Sequence, residues 1–276
     1  MKARPALVLT IALAAGFSLS ATVRAASPFP DKNLEAAIRA VLQHEPKAEL
    51  TDEKLGNVYL LEAPGKEIKD LTGLEKCKNL ALLKLTKNKI TDIKALKDLT
   101  NLQSLDLADN AIADIGPLSG LTKLQYLELS NNKVADLKPL AGLTALTSLY
   151  ASGNQIKDLA PVAGLTRLAS LDVSRNQVKD LSPLSKVNKL SLLDLKENQV
   201  EDLAPLGTQT DLKILILEKN HIKDLAPLVK AAQADAAGPK RFAPYLRLYI
   251  KDNPLSDAAK SSQLGDVKKA GVRVEG

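Results

Sequence analysis

The chain has 276 residues, with 38 basic and 32 acidic side chains and a formal net charge of +6. Aromatic residues make up only 3% and Trp is absent, so a core must be aliphatic. A basic surface with stacking aromatics, as nucleic-acid binding requires, is excluded. The single cysteine, Cys77, excludes an intramolecular disulfide.

At the start of the chain, Lys2 and Arg4 precede an apolar run from Ala6 to Phe17, and Val23-Arg24-Ala25 places small residues at the −3 and −1 positions of a cleavage site. This pattern predicts a secretory signal over residues 1–25 and an exported product, periplasmic or secreted. Ser18, Ser20, Thr22 and Arg24 close the run short of the roughly 20 apolar residues a membrane span needs. An uncleaved anchor is the alternative reading. The segment holds three basic residues and no acid, so its removal leaves 35 basic and 32 acidic side chains, close to neutral. No cysteine stands at the junction, which excludes a bacterial lipid anchor there. No second long apolar stretch follows, and a soluble mature protein without a membrane span is expected.

Residues 26–78 read as a flank and a degenerate first repeat. Asp31 to Gln43 predicts a helix: Asp31 can cap it, Glu35 adds charge in the first turn, and Leu34, Ile38 and Leu42 share one face. Ile68, Asp70, Leu71 and Leu74 then fall in the columns of the repeat that follows.

Seven repeats occupy residues 79–228. Asn88, Asn110, Asn132, Asn154, Asn176, Asn198 and Asn220 are spaced by 22 residues without a slip. Each is followed two residues later by Ile or Val and four residues later by Asp (Asp92, Asp114, Asp136, Asp158, Asp180, Asp202, Asp224). The unit running from Asn101 to Thr122 contains L-x-x-L-x-L-x-x-N-x-L, with Ile112 in the last place, which is the leucine-rich-repeat pattern. Alternation in L-x-L turns Leu105 and Leu107 inward and Ser104, Asp106 and Ala108 outward. One such turn cannot bury its apolar face alone, so stability comes from stacking into a parallel sheet. The expected fold is therefore an α/β leucine-rich-repeat solenoid, a horseshoe with a parallel concave sheet, a short helical or 3-10 convex side and a helical N-terminal cap. The Asn column is read as a ladder of amides serving backbone groups at the bend. The Asp column, three residues before Pro in six turns, is read as a helical-turn device rather than a site. Cys77 occupies the place of Leu99, Leu121 and Leu143 and is read as a small buried hydrophobe.

Residues 229–255 form a last repeat. Leu248, Ile250, Asn253 and Leu255 restore the pattern 33 residues after Asn220, an insertion of 11. Val229 to Ala237 predicts a helix on the convex side, stopped by Gly238-Pro239. Residues 256–276 read as a helical cap and short strand ending in Val272 and Val274.

Information beyond the fold lies in outward positions. The column of Lys84, Asp106, Glu128, Tyr150, Asp172, Asp194, Ile216 and Tyr249 contains four acids in eight turns. With Tyr126 and Arg175 on the same face, Asp106, Tyr126, Glu128, Tyr150, Asp172, Arg175 and Asp194 form a candidate contact surface. Leu192, Ile214 and Ile216 are outward yet apolar, beside Tyr249, and form a second candidate patch. Either the acids merely solubilise an exposed strand or they meet a partner. The apolar group is either a contact surface or covered by the insertion or tail. Catalysis finds no support: His44 and His221 lack metal-ligand companions, and no Gly-rich phosphate loop or G-x-S-x-G occurs. No cofactor and no metal are expected.

Phe29-Pro30-Asp31 opening a helix, Leu50-Thr51, and Ile68-Lys69-Asp70-Leu71-Thr72-Gly73-Leu74 resemble the cap and first turn of the internalin family. The repeats, with Ile-x-Asp-Leu-x-Pro-Leu, are similar to internalin repeats. The resemblance covers roughly residues 28–228 and implies a right-handed curved solenoid that binds a partner on its concave face. It differs from the better-known members in having no immunoglobulin-like domain, sorting motif or wall-binding modules after the repeats, which turns the expectation from host invasion toward a periplasmic or freely secreted role. Two function classes stay open: a recognition module for a protein or glycan, and a structural or assembly component of the bacterial envelope.

Overall fold

The computed structural model describes residues 27–43 and 48–275. The signal segment expected over residues 1–25, and His44, lie outside them.

Helix α1 (Lys32–Leu42) opens the structure. Its N-cap is Asp31, whose Oδ1 accepts from the backbone N–H groups of Asn33 at 2.9 Å and Leu34 at 3.1 Å. The other oxygen accepts from Lys69 at 2.8 Å and Asp70 at 3.2 Å, so one carboxylate ties the cap to the first turn. Phe29, Leu34 and Ile38 are fully buried. A short helix, α2 (Asp52–Leu55), follows, capped by Thr51, and sequence periodicity alone did not predict it.

Ten three-residue strands then stack in chain order into one parallel sheet. They are β1 (Leu60–Glu62), β2 (Leu82–Lys84), β3 (Ser104–Asp106), β4 (Tyr126–Glu128), β5 (Ser148–Tyr150), β6 (Ser170–Asp172), β7 (Leu192–Asp194), β8 (Ile214–Ile216), β9 (Arg247–Tyr249) and β10 (Arg273–Glu275). The pairing is in register, so each central residue meets its equivalent: Leu83 with Leu105, Leu105 with Leu127, and onward to Leu215 with Leu248. These central leucines are fully buried while their neighbours on either side face out, as alternation along L-x-L predicts. Short 3-10 turns such as Gly116–Leu118 and Ala160–Gly164 close the opposite side, each with Pro near its start.

The Asn column does carry the bends. Asn132 donates through Nδ2 to the carbonyls of Leu107 and Leu129, both at 2.9 Å, and accepts through Oδ1 from Ile112 N–H at 3.0 Å. The same three contacts recur in the other turns, and Asn253 resumes them across the insertion by donating to Leu217 O at 2.8 Å. The residue before each ladder Asn takes the left-handed conformation, as in Asp109, Asn131, Arg175 and Glu197. Ala108, expected outward, is only 8% exposed, because it lies in the tight bend where its carbonyl receives the N–H of Lys87 at 2.9 Å. In the Asp column each Oδ1 accepts the amide two residues on, for example Gly116 at 2.8 Å and Ala160 at 2.7 Å. Cys77 is fully buried, and burial, aided by nearby Glu75, pushes its thiol up to about 12.

The insertion forms α3 (Ala226–Ala237), starting one turn earlier than its Ala-rich run because Pro227 serves as its first turn. It packs on the 3-10 turn Ala204–Thr208, on the side away from the sheet face. The buried Asp235 accepts from Arg241, Phe242 and Ala243 N–H groups and so folds the segment after the helix. A π-helical stretch, Ala259–Gln263, leads into α4 (Leu264–Lys269) before β10 closes the chain.

Candidate partner-binding face

The outward residues of the strands form two parallel rows. One row runs Leu60, Leu82, Ser104, Tyr126, Ser148, Ser170, Leu192, Ile214, Arg247 and Arg273. The other runs Glu62, Lys84, Asp106, Glu128, Tyr150, Asp172, Asp194, Ile216, Tyr249 and Glu275. Register therefore sets Asp106 opposite Glu128 and Asp172 opposite Asp194, two like-charged pairs on either side of Tyr150. The Tyr126 and Tyr150 rings lie 5.6 Å apart between centroids, tilted by 44°.

Each of the four acids also has a local task that the sequence reading missed. One oxygen of each accepts the amide two residues on: Ala108 at 3.1 Å, Ser130 at 2.7 Å, Ser174 at 2.8 Å and Lys196 at 2.9 Å. These contacts pin the strand exit. Lys84 stands 4.0 Å from Asp106, while Lys196 is held by Glu218 at 2.7 Å. Partial burial, with repulsion from Asp172 and Glu218 against the Lys196 contacts, lifts Asp194 to about 6. Partial burial, opposed by the Ser130 hydrogen bonds and reinforced by repulsion from Asp106 and Asp172, also raises Glu128 above its ordinary value. Burial and the Glu128 and Asp106 charges push the Tyr126 phenol up to about 12.

Arg175 lies one column beyond the two rows, at the left-handed bend position. Its guanidinium donates to Asn131 Oδ1 at 3.0 Å and to Ser152 Oγ at 3.2 Å, spanning three turns at the rim of the sheet. It can do so because Gly153 leaves the path open; a Cβ there would stand 2.6 Å from Asn131 Oδ1.

The apolar group holds together: Leu192 pairs with Ile214, and Ile216 with Tyr249. All four are half-buried, and Arg247 lies over the Tyr249 ring at 5.6 Å. A further apolar pair escaped the sequence reading. Tyr59 and Leu60, 53% and 57% exposed, stand at the opposite end of the sheet, where the degenerate first turn hides the strand register that would have shown them. His221 is exposed, and among the described residues no three His, Cys, Asp or Glu side chains converge to hold a metal ion.

An in-register parallel sheet backed by 3-10 turns, with an Asn ladder at every bend, defines a leucine-rich-repeat solenoid. The family model for two-copy leucine-rich repeats matches residues 100–142 and 144–186. Internalin C2 of Listeria monocytogenes is 34% identical and superposes with a TM-score of 0.70 over 73% of this chain and 92% of that one. The functional domain of the Listeria monocytogenes protein InlJ is 25% identical, with a TM-score of 0.64 over 85% of this chain and 54% of that one. The ectodomain of the Arabidopsis thaliana receptor kinase GASSHO1/SCHENGEN3, solved with Casparian strip integrity factor 2, shares the fold alone at 22% identity and a TM-score of 0.64, over 82% of this chain and 28% of that one. No curated protein sequence matches the chain significantly. The chain belongs to the internalin-like leucine-rich-repeat proteins. Among the described residues no helix is long and apolar enough to cross a membrane.

Proposed function

We propose that this protein is an exported recognition module, periplasmic or secreted, that binds a macromolecular partner through its sheet face rather than catalysing a reaction. The observation that carries the reading is the contrast between the two kinds of column. The Asn and Asp columns are spent on backbone groups in every turn, whereas the outward rows differ from turn to turn and gather the Tyr126–Tyr150 pair, two carboxylate pairs and an apolar end. Tyr is enriched in binding hot spots, and clustered apolar side chains on a surface mark interaction sites. The GASSHO1/SCHENGEN3 ectodomain, of the same fold, has been solved in complex with Casparian strip integrity factor 2. A protein is favoured over a glycan by the apolar end, Leu192, Ile214, Ile216 and Tyr249, which offers a sugar few polar contacts. The envelope-assembly alternative draws no comparable support from the face.

Immobilised protein tests the reading by capture from envelope or host extract. Tyr126→Ala with Tyr150→Ala, or Ile214→Asp, should each reduce capture of a stoichiometric partner at least about tenfold, given hot-spot magnitudes. Lys230→Glu, on the exposed side of α3, should leave it unchanged. Loss of capture with Lys230→Glu but not with the sheet-face variants would move the site to the opposite side.

A further inference from the structure

We propose that the sheet face between β3 and β9 docks an extended basic polypeptide segment. Its Lys or Arg side chains would lie over the two carboxylate pairs and the Tyr126–Tyr150 pair, and an apolar side chain would rest on Leu192, Ile214 and Ile216. The inference rests on the sheet-face reading above and names the chemistry of the occupant.

Charge complementarity carries it. Asp106 faces Glu128, and Asp172 faces Asp194, in direct register. Like charges directly opposed on neighbouring strands are unfavourable, so this row is not what sheet stability alone would select. Among the described residues neither Glu128, Asp172 nor Asp194 forms an ion pair; of the lysines beside the row, Lys84 reaches only Asp106, and Lys196, whose charge Asp194 feels, is paired with Glu218. One oxygen of each acid is already held by a backbone amide, so the four carboxylates are held in place on the face. The tilted Tyr pair in the middle supplies ring faces, which attract Lys and Arg heads.

Geometry decides between a small cation and a polypeptide. The acids are strung over four strand spacings, roughly 19 Å at about 4.8 Å each, rather than converging on a point. A calcium ion needs six or more oxygens at about 2.3–2.6 Å, and among the described residues no three His, Cys, Asp or Glu side chains converge to hold a metal ion. A row of this length matches several residues of extended chain. The apolar end continues the same two rows through β7 to β9, so the occupant is amphipathic along its length.

Isosteric neutralisation tests this without removing the amide acceptors. The full chain and the variant Asp106→Asn, Glu128→Gln, Asp172→Asn, Asp194→Asn are titrated with oligo-lysine, with the same peptide acetylated on every lysine, and with oligo-glutamate. Oligo-lysine should bind the native protein, with protection of amides in β3–β7, and bind the variant about tenfold or more weakly at unchanged melting temperature or better. The acetylated and acidic peptides should not bind. Binding of oligo-lysine within twofold in protein and variant overturns the proposal, as does equal binding of the acetylated peptide. If that happens while Ile214→Asp still abolishes partner capture, only the basic occupant is wrong. If Ile214→Asp also leaves capture intact, the sheet-face reading has failed as well.

Discussion

At the scale of single residues, the two most regular columns differ sharply in how much each contact contributes. Asn154 donates to three carbonyls, Leu129 and Ala151 at 3.0 Å and Ser152 at 3.2 Å, and accepts from Val134 N–H at 2.9 Å, all with little access to water. Asp158 serves one amide, that of Ala160, at an exposed bend. A buried group left unpaired costs about 1–3 kcal/mol, whereas losing an exposed turn contact costs on the order of 0.5 kcal/mol. Asn154→Ala should therefore lower stability severalfold more than Asp158→Ala in chemical denaturation, and equal losses would contradict the ladder account. Cys77 shows how a column can be read through its neighbours. It stands where later turns have Leu, and it is fully buried as that place demands.

At the scale of elements, the N-terminal cap is joined to the solenoid by one side chain. Asp31 accepts four backbone N–H groups, two in its own helix and two, Lys69 and Asp70, in the first turn. Partial burial raises its pKa, but these four donors outweigh that and hold it below the ordinary value. A carboxylate with a depressed native pKa stabilises the fold above its unfolded pKa near 4, and that stabilisation disappears as pH falls through the native value. Asp31→Ala should cost about 1–2 kcal/mol at neutral pH, and the gap to the native protein should close below about pH 4. A gap that persists at low pH would assign the effect to packing instead. Gly73 completes the junction: at φ +97° any Cβ would meet Pro28 O at 2.5 Å, so the segment before α1 and the first turn can approach only with glycine there.

At the scale of the molecule, the sheet face carries an electrostatic cost that the rest of the solenoid does not. Asp194 is lifted to about 6 by partial burial, with Asp172 and Glu218 adding repulsion. A raised native pKa means its contribution is fully present below the unfolded value and is lost as pH rises through about 6. Asp194→Asn keeps an acceptor for the Lys196 amide and should raise the melting temperature at pH 7, by about 2–4 °C per kcal/mol gained. That gain should shrink between pH 6 and 4 as the native carboxyl takes up its proton. A variant less stable than the native protein at pH 7 would show that the carboxylate is there for the fold. A gain would mark it as retained for binding.

The amino-acid sequence by itself determined the solenoid, since the 22-residue spacing of Leu and Asn leaves one way to bury the leucines and satisfy the bends. It also separated inward from outward positions, because strand alternation is local. The tertiary structure alone decided which outward residues become neighbours. Register set Asp106 against Glu128 and Asp172 against Asp194, brought Tyr126 within 5.6 Å of Tyr150, and put Arg175 at the rim, tied to Asn131 and Ser152. It also revealed the amide that each acid holds and the exposed Tyr59–Leu60 pair of the degenerate first turn. The strand-to-strand contacts among these join residues 22 or more positions apart in the chain, and local periodicity carries no record of how side chains meet once the turns are stacked.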